Sequence, residues 1–288
     1  MTKHTDTIPE ARRTMLGAGG LTISVVGAVC FCIILFWVVI ALVGPWLAPY
    51  PIGKIVSMDV FTSPSRDYLL GTDYLGRDMM SRIILGARYT VGVSIAAALI
   101  ACTIGVALGM ISAVLGGWFD TIVSRGIDAL IAIPHLMFGL VIIAAIGSSL
   151  PVLVGTLAFL YFPGSFRIAR ALAVNINELD FVQVAKARGE GFFYTVREEI
   201  LPNMIGPVLA DFGLRFVFIV LLLSGLSFLG LGVQPPNADW GALVRENVSG
   251  LAYGAPAVIM PSLAIASLTI SVNLAIDNLP RRLRDRLP

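Results

Sequence analysis

Long apolar blocks alternate with polar ones along this chain, and the blocks set the first expectations. Residues 14–53 carry no charge. Their apolar core, residues 21–46, suits an uncleaved membrane-spanning helix and is too long for the apolar segment of a leader peptide. Gly44, Pro45, Pro49 and Pro51 end it, and Trp46 and Tyr50 are placed like an interfacial aromatic belt. In the polar stretch that follows, Asp73/Arg77 and Asp78/Arg82 are i,i+4 pairs with the acid first, which predicts a short surface helix. A second span is expected over residues 89–115, where Ala101, Gly105 and Gly109 repeat every four residues and let a neighbouring helix come close. Beyond a link at residues 116–128, charge-free sequence covers residues 129–166, with a predicted turn at residues 147–151 between spans three and four. Residues 206–232 and 255–276 make spans five and six. The pattern therefore predicts an all-α polytopic membrane protein with six transmembrane helices.

Between spans four and five lies a polar segment, residues 175–205, around which the rest is arranged. Asn177 is expected to cap a short helix, Glu178 and Asp180 to favour its first turn, and Gly189 to stop it. A second short helix is expected over residues 192–200, halted by Pro202. Val182, Ala185, Lys186 and Gly189 fall at i, i+3, i+4 and i+7, a small or apolar face shaped to be gripped by another protein.

Composition agrees with the pattern. The chain is 57% hydrophobic and only 13% charged, with mean hydropathy +0.88, whereas a soluble domain is about one quarter charged. Charge placement gives an orientation. The segments that six spans put on one side (residues 1–20, 116–128, 167–205 and 278–288) hold thirteen of the twenty Lys and Arg; the intervening loops hold six. The positive-inside rule places both termini and residues 175–205 in the cytoplasm. Cys30, Cys32 and Cys102 lie in apolar stretches without metal-like spacing and are expected to be buried. His135 lies in span three with no partner acid nearby in sequence, so a packed neutral imidazole is preferred to a proton relay. For Asp211 and Arg215, i,i+4 within span five, two readings stay open: a mutual pair, or Arg215 reaching to the interface.

Three blocks of sequence then carry a resemblance. Residues 181–189, followed by Ile200, Leu201, Pro202 and Asn203, resemble the EAA loop of ABC-importer permease subunits, with Gln183 and Val184 where that family usually has Glu and Ala. The stretch LLGTDYLGRDMMSRIILGAR, residues 69–88, resembles the signature before the second span of peptide-type importer permeases. The segment FPGSFRIAR and the block LSFLGLG, with Asp239, Trp240 and Gly241 after it, are similar to the same family; residues 234–240 read as its outer loop. The resemblance implies a permease domain over residues 21–288 behind a cytoplasmic tail, residues 1–20. It implies a coupling helix in which Val182, Gln183, Val184, Ala185, Lys186, Gly189 and Glu190 dock an ATPase. It also implies a bacterial inner-membrane location, a second homologous permease, two ATP-binding cassette ATPases and an extracytoplasmic substrate-binding protein. The cargo would be peptides or similar small polar solutes.

Other function classes find no support in the residues. No G-x-x-x-x-G-K-[ST] occurs, so the chain itself lacks a phosphate-cradling loop and is not expected to be an enzyme. No HExxH, GxSxG or Cys/His cluster calls for a metal, a cofactor or intramembrane catalysis, and no nucleic-acid footprint is visible. A secondary transporter working without ATPases is the alternative; it would show two repeated halves with interrupted spans in matching positions, which are not seen here.

Overall fold

A computed structural model describes residues 25–253 and 256–278. The expected N-terminal tail and Arg281, Arg282, Arg284 and Arg286 lie outside the described residues. In chain order the helices are α1 Val25–Leu47, α2 Met79–Leu115, α3 Gly117–Ile131, α4 His135–Ile146, α5 Leu150–Asn177 and α6 Asp180–Ala187. Then α7, Phe192–Tyr194, runs through a π-helical stretch, Thr195–Ile200, into α8, Leu201–Phe228. After α9, Trp240–Glu246, a 3₁₀ turn at Val248–Tyr253 leads to α10, Pro256–Asp277. No strand forms among the described residues; two isolated bridges, Ile55–Arg77 and Thr72–Asp78, fasten the stretch between α1 and α2.

Among the described residues five helical segments are long and apolar enough to cross a membrane, and a sixth crossing exists there only if α3 and α4 count as one span. That pair departs from expectation. The link ending at Asp128 is itself helical, and the expected third span is broken, with α3 and α4 meeting at 87°. Pro134 has no N–H and disfavours α geometry at the residue before it, so helix α3 ends and α4 starts afresh. Alone, the 12 residues of α4 extend about 18 Å, short of a roughly 30 Å hydrocarbon core. Asp120 and Asp128 of α3 pair with Arg170 and Arg167 of α5, each at 2.5 Å, and fix α3 against the bundle.

The small-residue repeat of α2 does what its spacing predicts. A Cβ added at Gly105 would lie 2.6 Å from the Phe162 carbonyl oxygen and 2.7 Å from Ser165 Cβ. At Gly109 it would lie 2.8 Å from the Arg170 backbone nitrogen. With Ala101 fully buried, the backbones of α2 and α5 pack in direct contact.

On the opposite side of the bundle from residues 175–205, the expected surface helix does not form. Asp78 is instead the N-cap of α2, its Oδ2 accepting from the Ser81 N–H (2.8 Å) and hydroxyl (2.6 Å), so α2 begins ten residues before the predicted second span. Asp73 does bind Arg77 Nε at 2.7 Å, but from a turn. Arg82 turns to Asp73 (2.7 Å) and to Glu246 of α9 (2.8 Å), and Glu246 also meets Arg77 at 3.1 Å. Four charges thus form one network, with side-chain exposures of 14% or less.

Residues 234–240, expected as an outer loop, fold back inward at their end. Trp240 is fully buried, donates from Nε1 to the Ile83 carbonyl (3.0 Å) and packs edge-on against Trp37. Asp239 caps α9 by accepting from the Ala242 N–H (3.0 Å), and its other oxygen accepts from the Ser227 hydroxyl and the Val233 N–H. Burial pushes the Asp239 carboxyl above the usual carboxylate range, against the lowering effect of those hydrogen bonds. Cys30 and Cys102 are buried as expected; Cys32 is exposed on α1, and all three are free thiols.

Candidate functional site

Residues 175–205 form a compact structure at one end of the bundle. α5 runs on to Asn177, so Asn177 closes one helix and does not cap the next; Leu179, in an extended conformation, precedes α6 without a side-chain cap. The polar atoms of Asn177 hold α6 in another way. Its carbonyl accepts from Gln183 Nε2 (2.7 Å), and its Oδ1 accepts from Lys186 Nζ (2.8 Å).

The helix ends as its sequence predicts. Gly189 takes φ +87°, its N–H donates to the Lys186 carbonyl, and the Glu190 N–H donates to the Ala185 carbonyl. Those two bonds are the Schellman pair, and the left-handed residue they require is the glycine.

Which face is turned outward corrects the expectation. Val182 and Ala185 are fully buried, and Val182 packs with Ala173, Ile176, Ile200 and Met204 of the same chain. The outward face is the other one: Val184 is 58% exposed, Phe181 is partly so, and Gln183, Ala187 and Arg188 are exposed. Phe193, at the start of the following helix, is 84% exposed.

Pro202 does not halt that helix. It sits in the first turn of α8, where a missing N–H is tolerated. The π-helical turn before it absorbs the register change, and Asn203 Nδ2 donates to the Glu199 carbonyl at 2.6 Å. Residues Phe192–Phe228 therefore form one continuous helical segment from the loop through the bundle.

Deep in the bundle lies a second polar arrangement. Asp211 and Arg215 pair, Nε to Oδ1 at 2.9 Å, which decides between the two open readings. Asp211 Oδ2 accepts from the Ser165 hydroxyl at 2.6 Å, and Cys102 Sγ lies 3.4 Å from that hydroxyl. His135 stacks on Tyr161 with ring centroids 5.1 Å apart, and Tyr161 lies parallel to Phe218 in turn. Among the described residues no group of His, Cys, Asp or Glu is arranged to hold a metal ion.

Residues 105–285 match the family described as "Binding-protein-dependent transport system inner membrane component". The chain belongs to this family. It is therefore a membrane-spanning permease component of an ABC transport system, in which ATP hydrolysis belongs to a separate subunit. The glutathione transport system permease protein GsiD of Pectobacterium atrosepticum is 31% identical over 255 residues, 88% of this chain and 85% of that one. The dipeptide transport system permease protein DppC of Haemophilus influenzae is 32% identical over 260 residues, 88% of each. A solved structure of an amino acid ABC transporter with histidines aligns at 18% identity with a TM-score of 0.48, over 71% of this chain and 93% of that one.

Within this permease, the sequence located the loop helix and its stop but not its outward face. Val182 and Ala185 hold the helix in place; Gln183 and Lys186 tie it to α5; Val184 faces out. Phe193 went unnoticed, although an aromatic pair in an otherwise polar loop is a signal of contact. Glu246 was also missed as a partner of Arg77 and Arg82, since 169 and 164 residues separate them.

Proposed function

We propose that this permease forms half of the translocation pathway of an ABC importer for peptides or similar small polar solutes. A second homologous permease forms the other half, two ATPases drive it, and an extracytoplasmic binding protein delivers the solute. The glutathione and dipeptide systems named for its relatives support that solute class. Both termini and residues 175–205 face the cytoplasm, as the distribution of Lys and Arg supports.

One observation carries the reading: α6 stands at the end of the bundle with Phe181 and Val184 on its outer face, and the same loop exposes Phe193. A surface of that kind in a polar loop fits a partner protein. Its inner face is packed on α5 and α8, so a push on α6 passes into the two helices that hold the intramembrane polar residues. The test is Val184→Glu, which places a charge on the docking face and leaves the chain's own core untouched. Co-expressed with its partners, the variant is expected to insert and to pair with the second permease but to lose the ATPases on co-purification. Full retention of the ATPases, with normal coupled hydrolysis, would overturn the docking assignment.

A further inference from the structure

Halfway along α8, Arg215 is only partly satisfied. Its Nε donates to Asp211, but Nη1 and Nη2 have no hydrogen-bond partner among the described residues. The guanidinium lies against Gly164, where an added Cβ would come within 2.4 Å of Nη1 and 2.8 Å of Cζ. The side chain retains 15% exposure, so the terminal nitrogens look out of the chain at membrane depth. An ionisable group there faces a bundle interior or water, because lipid cannot solvate it.

A second, independent observation lies on the neighbouring element. The carbonyls of Ala132 and Ile133, at the break between α3 and α4, accept no hydrogen bond from any described residue, and residues 132–134 are exposed. Irregular backbone inside a membrane survives only where protein covers it or water reaches it. The break leads straight into His135, whose ring stacks on Tyr161, and Tyr161 in turn stacks on Phe218, one turn beyond Arg215 on α8. The Tyr161 hydroxyl donates to the Phe218 carbonyl at 3.1 Å and holds α5 to α8 at this level. Unpaired donors and unpaired acceptors thus meet around one aromatic stack, and both need the same solvent.

We propose that Arg215, Phe218, Tyr161, His135 and the open carbonyls of Ala132 and Ile133 line the aqueous passage. There the free Nη groups of Arg215 receive a carboxylate, or another anionic oxygen, of the passing solute. Asp211, held by Ser165 and Arg215 Nε, aims the guanidinium and leaves its outer edge free for a planar two-point contact. This inference rests on the permease reading above.

The test uses the assembled complex in vesicles, with Cys30, Cys32 and Cys102 replaced by Ala and a single Phe218→Cys introduced. Two water-soluble thiosulfonates are compared, one bearing a sulfonate and one a trimethylammonium group. Phe218→Cys is expected to react with both, faster with the anionic reagent by roughly 30-fold, because a unit positive charge at close range in water favours one reagent about fivefold and disfavours the other by the same factor. Adding Arg215→Gln is expected to abolish that preference, and Arg215→Lys to keep it. No labelling in an assembled complex would overturn the inference, as would a charge preference indifferent to residue 215. Failure to assemble with a second permease and ATPases would instead count against the permease reading, so the two failures are distinguishable.

Discussion

Gly189 offers the sharpest test of how α6 transmits force, because substitution there changes one thing. Its φ of +87° permits the two hydrogen bonds that close the helix, from its own N–H to Lys186 and from the Glu190 N–H to Ala185. No atom lies within 4 Å of a Cβ built at this position, so a side chain meets open space within the chain. The cost is then backbone strain alone, about 1–2 kcal/mol for an ordinary L-residue in the left-handed region. Asn occupies that region more readily than other residues with a Cβ. A strain of that size lowers the population of the correctly ended helix by roughly 5- to 30-fold relative to its alternatives. Gly189→Val should therefore leave the spans inserted and the fold intact yet sharply reduce transport per ATP hydrolysed in reconstituted vesicles. Gly189→Asn should lie much nearer the parent. Ala185→Trp is the contrast: Ala185 is fully buried against its own chain, so the large ring is expected to displace α6 and lower stability in the isolated subunit. Equal transport by Gly189→Val and Gly189→Asn, with ATPases bound in both, would refute the reasoning that the end of α6 sets the coupling geometry.

Two further outcomes follow from the packing. Gly105→Ala puts a Cβ 2.6 Å from the Phe162 carbonyl, a backbone atom that cannot swing away, and should cost about 1–3 kcal/mol of thermal stability in detergent; Gly92→Ala, with nothing within 4 Å on the same helix, is the neutral control, and equal melting of the two variants would contradict the close α2–α5 contact. Asp73→Asn leaves Arg77 and Arg82 sharing Glu246 alone and should cost about 3–5 kcal/mol, as losing one partner of a buried ionic network does; an unchanged melting temperature would show that the network contributes nothing.

What could be read from the sequence divides along the range of the interactions involved. The repeat of Ala101, Gly105 and Gly109 was legible because close helix contact demands small side chains at one spacing, whatever the partner. Gly189 was legible because a helix end with a left-handed residue is a local matter. Pro202 misled for a local reason too: a proline stops a helix from the inside but starts one from its first turn, and the π-helical stretch before it decides which applies. Asp78 and Arg82 matched the i,i+4 pattern, yet Asp78 was needed as a cap and Arg82 found stronger company in Asp73 and Glu246.

The inward face of α6 shows where single-sequence reasoning stops. Val182 and Ala185 were visible as a small apolar stripe, and a stripe of that kind fits a partner's groove as well as the chain's own core. Only the position of α5 and α8 behind the helix decides, and that position depends on contacts with Ala173, Ile176, Ile200 and Met204. The same burial is what makes α6 useful as a lever. A loop helix gripped on both faces by another protein would move with that protein and leave the bundle behind. On the proposed docking, one whose inner face is fused into the core, and whose outer face carries Val184, would pass the partner's displacement into α5 and α8. Those helices carry Ser165, Asp211 and Arg215, so on the proposed reading a shift at the loop has a direct mechanical route to the polar cluster between α5 and α8.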